Sequence, residues 1–173
     1  MGTPAAGGYH GRMIRFLQRL VFISGLTGLI ALALWPYHDG VLRYGLPLSL
    51  AAVWSASLWH VRRDKFPRFL VLVSAAVLAL PFCLPSKPMD PAILHTRYMD
   101  ALQRLEGAPY LWGGESRGGI DCSGLPRRAL RDALFETGLR TGNGAAFREW
   151  ARQWWFDTSA KALGEDYRGF TRP

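Results

Sequence analysis

The sequence predicts a mostly α-helical membrane protein, in which three transmembrane helices precede a smaller helical domain. Before residue 86, three uncharged apolar stretches approach the roughly 20 residues that a spanning helix needs, and they show no polar face at helical spacing. The predicted helices cover about residues 16–35, 44–61 and 69–85; in the first, the uncharged stretch begins at Leu20, and the helix extends back to Phe16 if the side chain of Arg19 snorkels to the interface. Past Cys122, apolar residues recur at helical spacing, and no segment alternates convincingly as a strand would. We therefore divide the chain into a membrane anchor, residues 1–86, and a soluble part, residues 87–173.

The first apolar stretch resembles the start of a signal peptide as well as a membrane span. It is preceded by the basic residues Arg12, Arg15 and Arg19, as the apolar part of a signal peptide is. No convincing small-residue cleavage site follows Trp35 and Pro36, however. We therefore expect an uncleaved helix.

The charges of the connecting segments predict how the anchor is oriented. Basic residues are dense between the second and third stretches, where the chain carries Arg62, Arg63, Lys65 and Arg68. The N-terminal tail is also basic, whereas the segments after the first and third stretches carry little more than Arg43 and Lys87. Basic loops stay in the cytoplasm, so the tail and the second connection are predicted to face inward. Three crossings then deliver residues 87–173 to the outer side.

The formal net charge of +8 belongs mainly to the apolar half of the chain. Residues 1–85 hold eight Lys and Arg against two acidic residues, and residues 86–173 hold thirteen against eleven. A basic apolar segment favours a lipid bilayer as its partner, whereas a nucleic-acid-binding protein would cluster basic residues on the soluble half. We therefore expect no nucleic-acid partner. The two cysteines and four histidines show no metal-ligand spacing, so we expect no metal site and no cofactor.

The soluble part opens with a predicted helix. Asp90 and Pro91 are the residue types of an N-cap and a first helical position. Gly107 ends an apolar stripe that consists of Leu94, Tyr98, Leu102 and Leu105. We expect His95, beside this stripe, to be a surface or boundary imidazole, and residues 108–123 to form a loop.

Two further helices are predicted after this loop. One runs over about residues 121–137 and is ended by Gly138. The next reaches about residue 156 and carries three aromatic residues on one face, which are more typical of core packing than of ligand binding: Phe147, Trp150 and Trp154. A short helix is expected over about residues 157–164.

The stretch from Tyr110 to Leu125 reads YLWGGESRGGIDCSGL and contains the chain's most reactive candidate residue, Cys122. A glycine-rich, aromatic segment leads to this cysteine, which stands at the start of the predicted second helix of the soluble part. The unpaired N–H groups and the positive dipole end of a helix N-terminus stabilise a thiolate. Because the thiolate is the attacking form of cysteine, this position is typical of a nucleophile.

This motif resembles the nucleophile region of the NlpC/P60 family of papain-like cysteine peptidases, which cut peptidoglycan stem peptides. The resemblance covers about sixteen residues and joins two elements, Tyr-x-Trp-Gly-Gly at 110–114 and Asp-Cys-Ser-Gly-Leu at 121–125. It implies an α+β papain-like domain in which the cysteine opens a helix packed on a small antiparallel sheet. It also implies cleavage of the bond between γ-D-glutamate and the following diamino acid.

Carried over by position, the resemblance makes Cys122 the nucleophile. It implies that Asp121 and Ser123 help to hold the free amino end of the stem peptide, that Tyr110 lines the same subsite, and that Trp112 shapes the approach. A carboxylate suits a cationic amine, but beside a thiol it opposes thiolate formation, so the thiol needs a histidine. Together with the three predicted spans and their orientation, the resemblance implies a multi-pass protein of the bacterial cytoplasmic membrane, with its C-terminal part facing the periplasm or the outside.

The sequence departs from the family's pattern after the cysteine. The family places its histidine on a downstream strand, but no histidine follows Cys122, and His95 precedes it on a predicted helix. We expect a chain that is truncated before its histidine and its sheet, so that residues 87–173 are the helical opening half of the domain. The alternative is a catalytically silent membrane protein that binds cell-wall peptide or scaffolds envelope partners. A disulfide between Cys83 and Cys122 would remove the nucleophile, and the oligomeric state stays open.

Overall fold

The structure, a computed structural model, describes residues 6–35, 37–156, 161 and 165. We number its helices and strands in chain order: α1 Ala6–Ala33, α2 Gly40–His60, α3 Lys65–Cys83, α4 Pro91–Arg104, β1 Glu115–Ser116, β2 Gly119–Ile120, α5 Gly124–Thr141 and α6 Gly144–Trp155. The chain is mostly helical, as predicted, and divides into two compact units. One unit contains α1, α2 and the first part of α3. The other contains residues 37–39 and the chain from Ala76 onward.

Helices α1, α2 and α3 are each long and apolar enough to cross a membrane. Their candidate spans are Arg12–Ala33, Gly40–His60 and Lys65–Cys83. Each begins before the apolar stretch predicted from the sequence, because the helical backbone extends into flanking residues that interrupt the apolar pattern. Large apolar side chains on these helices are exposed, among them Phe16, Leu48 and Phe69. An apolar surface of this extent is compatible with a lipid bilayer as its surroundings.

Small residues bring α1 and α2 close together. A Cβ added to Gly25 would lie 2.9 Å from Cγ2 of Val53, and one added to Gly28 would lie 2.7 Å from the hydroxyl oxygen of Ser49. Close backbone approach through small residues is a common way for helices to pack within a membrane, where apolar burial between helices contributes little. The glycines of α1 therefore set the packing of this helix pair.

The start of α4 is as predicted. Asp90 is the N-cap, and its Oδ1 accepts a hydrogen bond from the N–H of Ala92 at 2.9 Å. Pro91 is the first helical residue, where its missing N–H costs no helical hydrogen bond. His95 is exposed on this helix, as expected.

α4 packs on α5 around a small apolar core. The buried residues of this core are Ala101, Leu105, Ile120 and Ala129. Tyr98 and Leu102 are partly buried against it, so three residues of the predicted apolar stripe, Tyr98, Leu102 and Leu105, face the core. Alanines at the centre allow the two helices to approach closely, which fixes α5 relative to the segment that precedes it.

Residues 108–123 were predicted to be a loop, and this prediction is wrong because they contain the antiparallel hairpin of β1 and β2. Arg117, in the turn of the hairpin, donates from Nε to the carbonyl of Arg104 at 2.8 Å and so ties the hairpin to the end of α4. Gly119 is required in β2, since a Cβ there would overlap the side chain of Leu111. Strands of two residues are too short to show alternation in the sequence.

The predicted bounds of the cysteine-bearing helix are also corrected. α5 begins at Gly124 and ends at Thr141, where Gly142 adopts the left-handed conformation with φ 57°. Gly138, predicted to end the helix, lies inside it. A Cβ at position 138 would come within 2.8 Å of the ring of Phe147 on α6, so this glycine allows close helix packing.

The helix α6 confirms the third predicted helix of the soluble part. Asn143 is its N-cap and accepts a hydrogen bond from the backbone N–H of Ala145 at 2.9 Å. Phe135 on α5 packs against Phe147 and Trp150, with ring centroids 5.8 and 5.6 Å apart. Phe147 and Trp150 therefore pack against α5, in agreement with the core role predicted for these aromatic residues. Most of the short helix predicted after residue 156 lies outside the described residues.

Candidate functional site

Cys122 lies in the turn that opens α5. Its thiol is free and exposed, and Cys83 at the end of α3 is a free thiol as well. Helical hydrogen bonding already begins here, because the N–H of Leu125 donates to the carbonyl of Asp121 at 3.0 Å. Cys122 therefore stands at the N-terminal end of α5, where the helix dipole favours a negatively charged group.

The carboxylate of Asp121 organises this turn. Its Oδ1 accepts hydrogen bonds from the N–H of Gly124 at 2.6 Å and from the N–H and hydroxyl of Ser123, both at 2.9 Å. Its Oδ2 accepts from the N–H of Gly113 at 2.9 Å. Partial burial raises the pKa of Asp121, but these hydrogen bonds outweigh burial and hold the pKa below its ordinary value. Asp121 is therefore an ionised cap that joins the glycine-rich segment to α5.

A pocket of about 290 Å³ opens beside this turn. Six of its lining residues come from the hairpin region and the start of α5: Trp112, Gly113, Glu115, Asp121, Ser123 and Arg127. The other three come from the connection between α1 and α2: Tyr37, His38 and Asp39. Its volume is at the lower end of the range for small-molecule sites, so it suits a group about the size of one amino-acid residue.

One wall of the pocket contains a buried ion cluster. Oε1 of Glu115 lies 2.8 Å from Nη1 of Arg127, and Oε2 lies 2.5 Å from Nη2 of Arg131. All three side chains are at most 7% exposed. Buried charges are costly unless they are paired, so the cluster fixes the hairpin against α5. Its one carboxylate is shared between two guanidinium groups.

His38 reaches this cluster from the connection between α1 and α2. Its Nε2 lies 2.7 Å from the carbonyl oxygen of Trp154, and its Nδ1 lies 3.3 Å from Nη1 of Arg131. Because a carbonyl only accepts and a guanidinium only donates, these contacts assign a neutral ring with its proton on Nε2. Burial lowers the pKa of His38, and Arg131 lowers it further against the opposing effect of Glu115. Both ring nitrogens are therefore committed to protein partners.

The structure brings three of the predicted substrate-binding residues to one pocket: Trp112, Asp121 and Ser123. The indole of Trp112 is 80% exposed and so is available to a ligand. Tyr110 is 69% exposed but is not among the pocket-lining residues. Cys122 likewise does not line the pocket, although both of its chain neighbours do. The roles of these residues toward a peptide stay predictions.

Sequence reasoning missed residues 37–39 and the Glu115 cluster as parts of the site. The predicted orientation could have indicated residues 37–39, because it places this connection on the same side of the membrane as the soluble part. The sequence gives less indication of the Glu115 cluster. Arg127 and Arg131 share a helix face by their spacing, but no pattern in the sequence identifies the acid that faces them.

No family model, curated protein or solved structure matches this chain. Within the described ranges, no group of three or more His, Cys, Asp or Glu side chains is placed to hold a metal ion. The candidate chemistry therefore rests on a thiol, a hydrogen-bonded carboxylate, a buried ion cluster and an exposed indole.

Proposed function

We propose that this protein is a membrane-anchored cysteine peptidase of the NlpC/P60 type, which acts on peptidoglycan stem peptides through Cys122. The observation that carries the proposal is a free, exposed thiol at the N-terminal end of α5, between two residues that line a pocket, Asp121 and Ser123. The motif that contains these residues is also the one that resembles the NlpC/P60 family.

In the proposed reaction, the thiolate of Cys122 attacks the carbonyl carbon of the scissile peptide bond. The resulting tetrahedral intermediate collapses, the C–N bond breaks, the leaving amine takes a proton from water, and an acyl thioester remains on the cysteine. Water then attacks the thioester, releases the carboxylate product and restores the thiol.

The pocket supports recognition of a cationic amine next to the thiol. Asp121 is ionised, and its Oδ2 accepts one hydrogen bond, from the N–H of Gly113, which leaves capacity for a second donor. The indole of Trp112 lines the same pocket and can contact a cation through its ring face. The free amino end of a stem peptide has the charge and size that this arrangement suits.

A second candidate function is stem-peptide binding without cleavage, and the state of His38 favours it. This histidine is the one that lines the pocket, and its nitrogens already contact the carbonyl of Trp154 and the guanidinium of Arg131. A papain-like reaction needs an imidazole that can take the thiol proton. A pocket whose histidine is otherwise engaged can hold the peptide and leave it intact.

The test uses the full chain in lipid nanodiscs with a synthetic stem tetrapeptide, and mass spectrometry detects the products. Cys122→Ala is compared with Cys83→Ser, the matched control at the second exposed cysteine. We expect the wild type and Cys83→Ser to cleave the peptide and Cys122→Ala to lose at least about 10³-fold in rate, as removal of a catalytic nucleophile does. Undiminished cleavage by Cys122→Ala would overturn the peptidase proposal.

Calorimetric titration of the same peptide separates the two candidate functions. Binding of the peptide by the wild type without cleavage supports the binding function. In that case Trp112→Ala should raise the Kd of the peptide about tenfold, an effect of about 1.4 kcal/mol. Absence of both cleavage and binding would overturn both.

A further inference from the structure

The connection between α1 and α2 is part of the pocket wall. Tyr37 forms an antiparallel bridge with Gly114, and the N–H of His38 donates to the carbonyl of Gly113 at 3.4 Å. Tyr37 and Asp39 both line the pocket. A segment between two apolar helices therefore contributes directly to the site.

The side chain of His38 holds this segment in place through residues far along the chain. Beyond its hydrogen bond to the carbonyl of Trp154, its ring meets the indole of that residue edge to face, with centroids 5.5 Å apart. Its Nδ1 contacts Arg131 of α5. His38 is 7% exposed. These contacts with α5 and α6 tie the segment to the rest of the pocket wall.

The covalent chain keeps this wall close to the ends of two candidate membrane spans. α1 ends at Ala33, and α2 begins at Gly40. An extended residue covers at most about 3.6 Å, so Tyr37 lies within about 14 Å of the end of α1. Asp39 directly precedes α2. In a bilayer crossed by α1 and α2, whose headgroup region is about 5 to 7 Å thick on each side, this short connection would keep residues 37–39 near the membrane surface.

The chain that leaves α3 is also held in place. Nη1 of Arg148 donates to the carbonyls of Phe82 and Leu84 at 2.7 and 3.1 Å. The N–H of Gly144 donates to the carbonyl of Pro85 at 3.0 Å. These contacts bind the end of α3 and the segment after it to the first half of α6.

We infer that the pocket takes its ligand at the membrane surface, and that this ligand is a peptide carried by a lipid of the same leaflet. The identity of the peptide rests on the proposed function, while its attachment to lipid rests on residues 37–39. A peptide attached to a lipid is confined to the layer in which the pocket stands, and this raises its effective concentration. A peptide in a polymeric wall would first have to approach the bilayer.

The test compares the affinity of one peptide held at different distances from the bilayer. The full-length protein in lipid nanodiscs is titrated with one stem peptide in three forms: soluble, attached to a lipid by a short spacer, and attached by a long one. The spacers are about 10 Å, just beyond the headgroups, and about 60 Å. We expect the two lipid-attached forms to bind within about threefold of each other and at least about tenfold more tightly than the soluble form, a difference of about 1.4 kcal/mol.

Each other outcome overturns the inference. A short-spacer peptide that binds at least about tenfold more weakly than the long-spacer peptide would place the pocket away from the membrane. Equal affinity of all three forms would remove the preference for a lipid-attached ligand. In both cases the proposed function survives, since the peptide still binds. Binding of none of the three forms would overturn the proposed function as well.

A matched pair of variants tests whether the connection takes part. Asp39 and Asp64 are the two acidic residues of the anchor, one in each connection between its helices. Asp39→Asn should raise the Kd of the short-spacer peptide about tenfold, as loss of a charged contact does, whereas Asp64→Asn should leave it unchanged. Equal Kd values for the two variants would exclude the connection from the site.

Discussion

Burial and hydrogen bonding give His38 a role that an imidazole does not have in water. In solution the ring gains a proton near neutral pH. Here burial and the nearby Arg131 keep its pKa low, while Nε2 donates to the carbonyl of Trp154. A proton added to Nδ1 would place a third positive charge beside Arg127 and Arg131, whose shared carboxylate is that of Glu115. The ring therefore acts as a neutral hydrogen-bonding group.

We predict that His38 makes the folded protein less stable as the pH falls from about 7.5 to about 5.5. The pKa of His38 lies below its ordinary value of 6.5 in the folded state, so below that pH the unfolded chain binds a proton that the folded chain resists. The free energy of unfolding therefore rises with pH through this window. Thermal unfolding of the wild type and His38→Gln at both pH values measures the effect.

The wild type should lose more stability on acidification than His38→Gln. The expected excess at pH 5.5 is at most about 1.4 kcal/mol, because this pH lies one unit below the ordinary pKa of the imidazole. An identical loss in the two proteins would contradict the assignment of a neutral, proton-resisting ring.

At the scale of helices and strands, the sequence predicts the features that depend on neighbouring residues, and it does not predict the features that depend on long-range packing. Asp90 and Pro91 predicted the start of α4 because a cap and its helix are adjacent in sequence. The three apolar helices followed from length and composition alone. Gly138 was misinterpreted, because a glycine can end a helix or allow another helix to pack close, and only the position of Phe147 distinguishes the two. The hairpin of β1 and β2 was missed because its strands have two residues each.

The packing role of Gly138 predicts that Gly138→Ala destabilises the protein. Alanine is better than glycine in a helix by about 1 kcal/mol, but its Cβ would lie 2.8 Å from the ring of Phe147. Overpacking a well-packed site costs about 1 to 3 kcal/mol, so the net effect should be a loss. Thermal unfolding in detergent measures the change.

The double variant Gly138→Ala/Phe147→Leu is the control, since the smaller leucine makes room for the methyl group. It should be less destabilised than the sum of the two single variants. A Gly138→Ala protein that is more stable than the wild type would indicate that the two helices do not meet at this glycine.

At the scale of the whole molecule, membrane topology connects two distant parts of the sequence. A chain that crosses a membrane three times places the connection after α1 and the segment after α3 on the same side. Residues 37–39 and the chain from Ala76 belong to one compact unit, which agrees with this arrangement. The sequence motif predicted that Trp112, Asp121 and Ser123 lie together because they are neighbours in the chain. Tyr37 is too far from them for any local pattern to predict its place.

The predicted orientation is tested by thiol labelling from outside intact cells with a membrane-impermeant maleimide. In Cys83→Ser, the exposed Cys122 should be labelled without permeabilisation, because the predicted orientation places it outside after three crossings. Arg63→Cys, made in a chain that lacks both native cysteines, should react only after the cells are opened. Labelling of Arg63→Cys alone in intact cells would reverse the orientation.

The contribution of residues 37–39 has a practical consequence for protein engineering. Excising the soluble domain, or fusing it to an unrelated anchor, would remove Tyr37, His38 and Asp39 together. Glu115 and Arg131 would then border a hydrated gap where the imidazole had been. The anchor therefore cannot be replaced by an unrelated membrane anchor without changing the pocket. We expect chimeras that lack residues 37–39 to bind ligands poorly even when they fold.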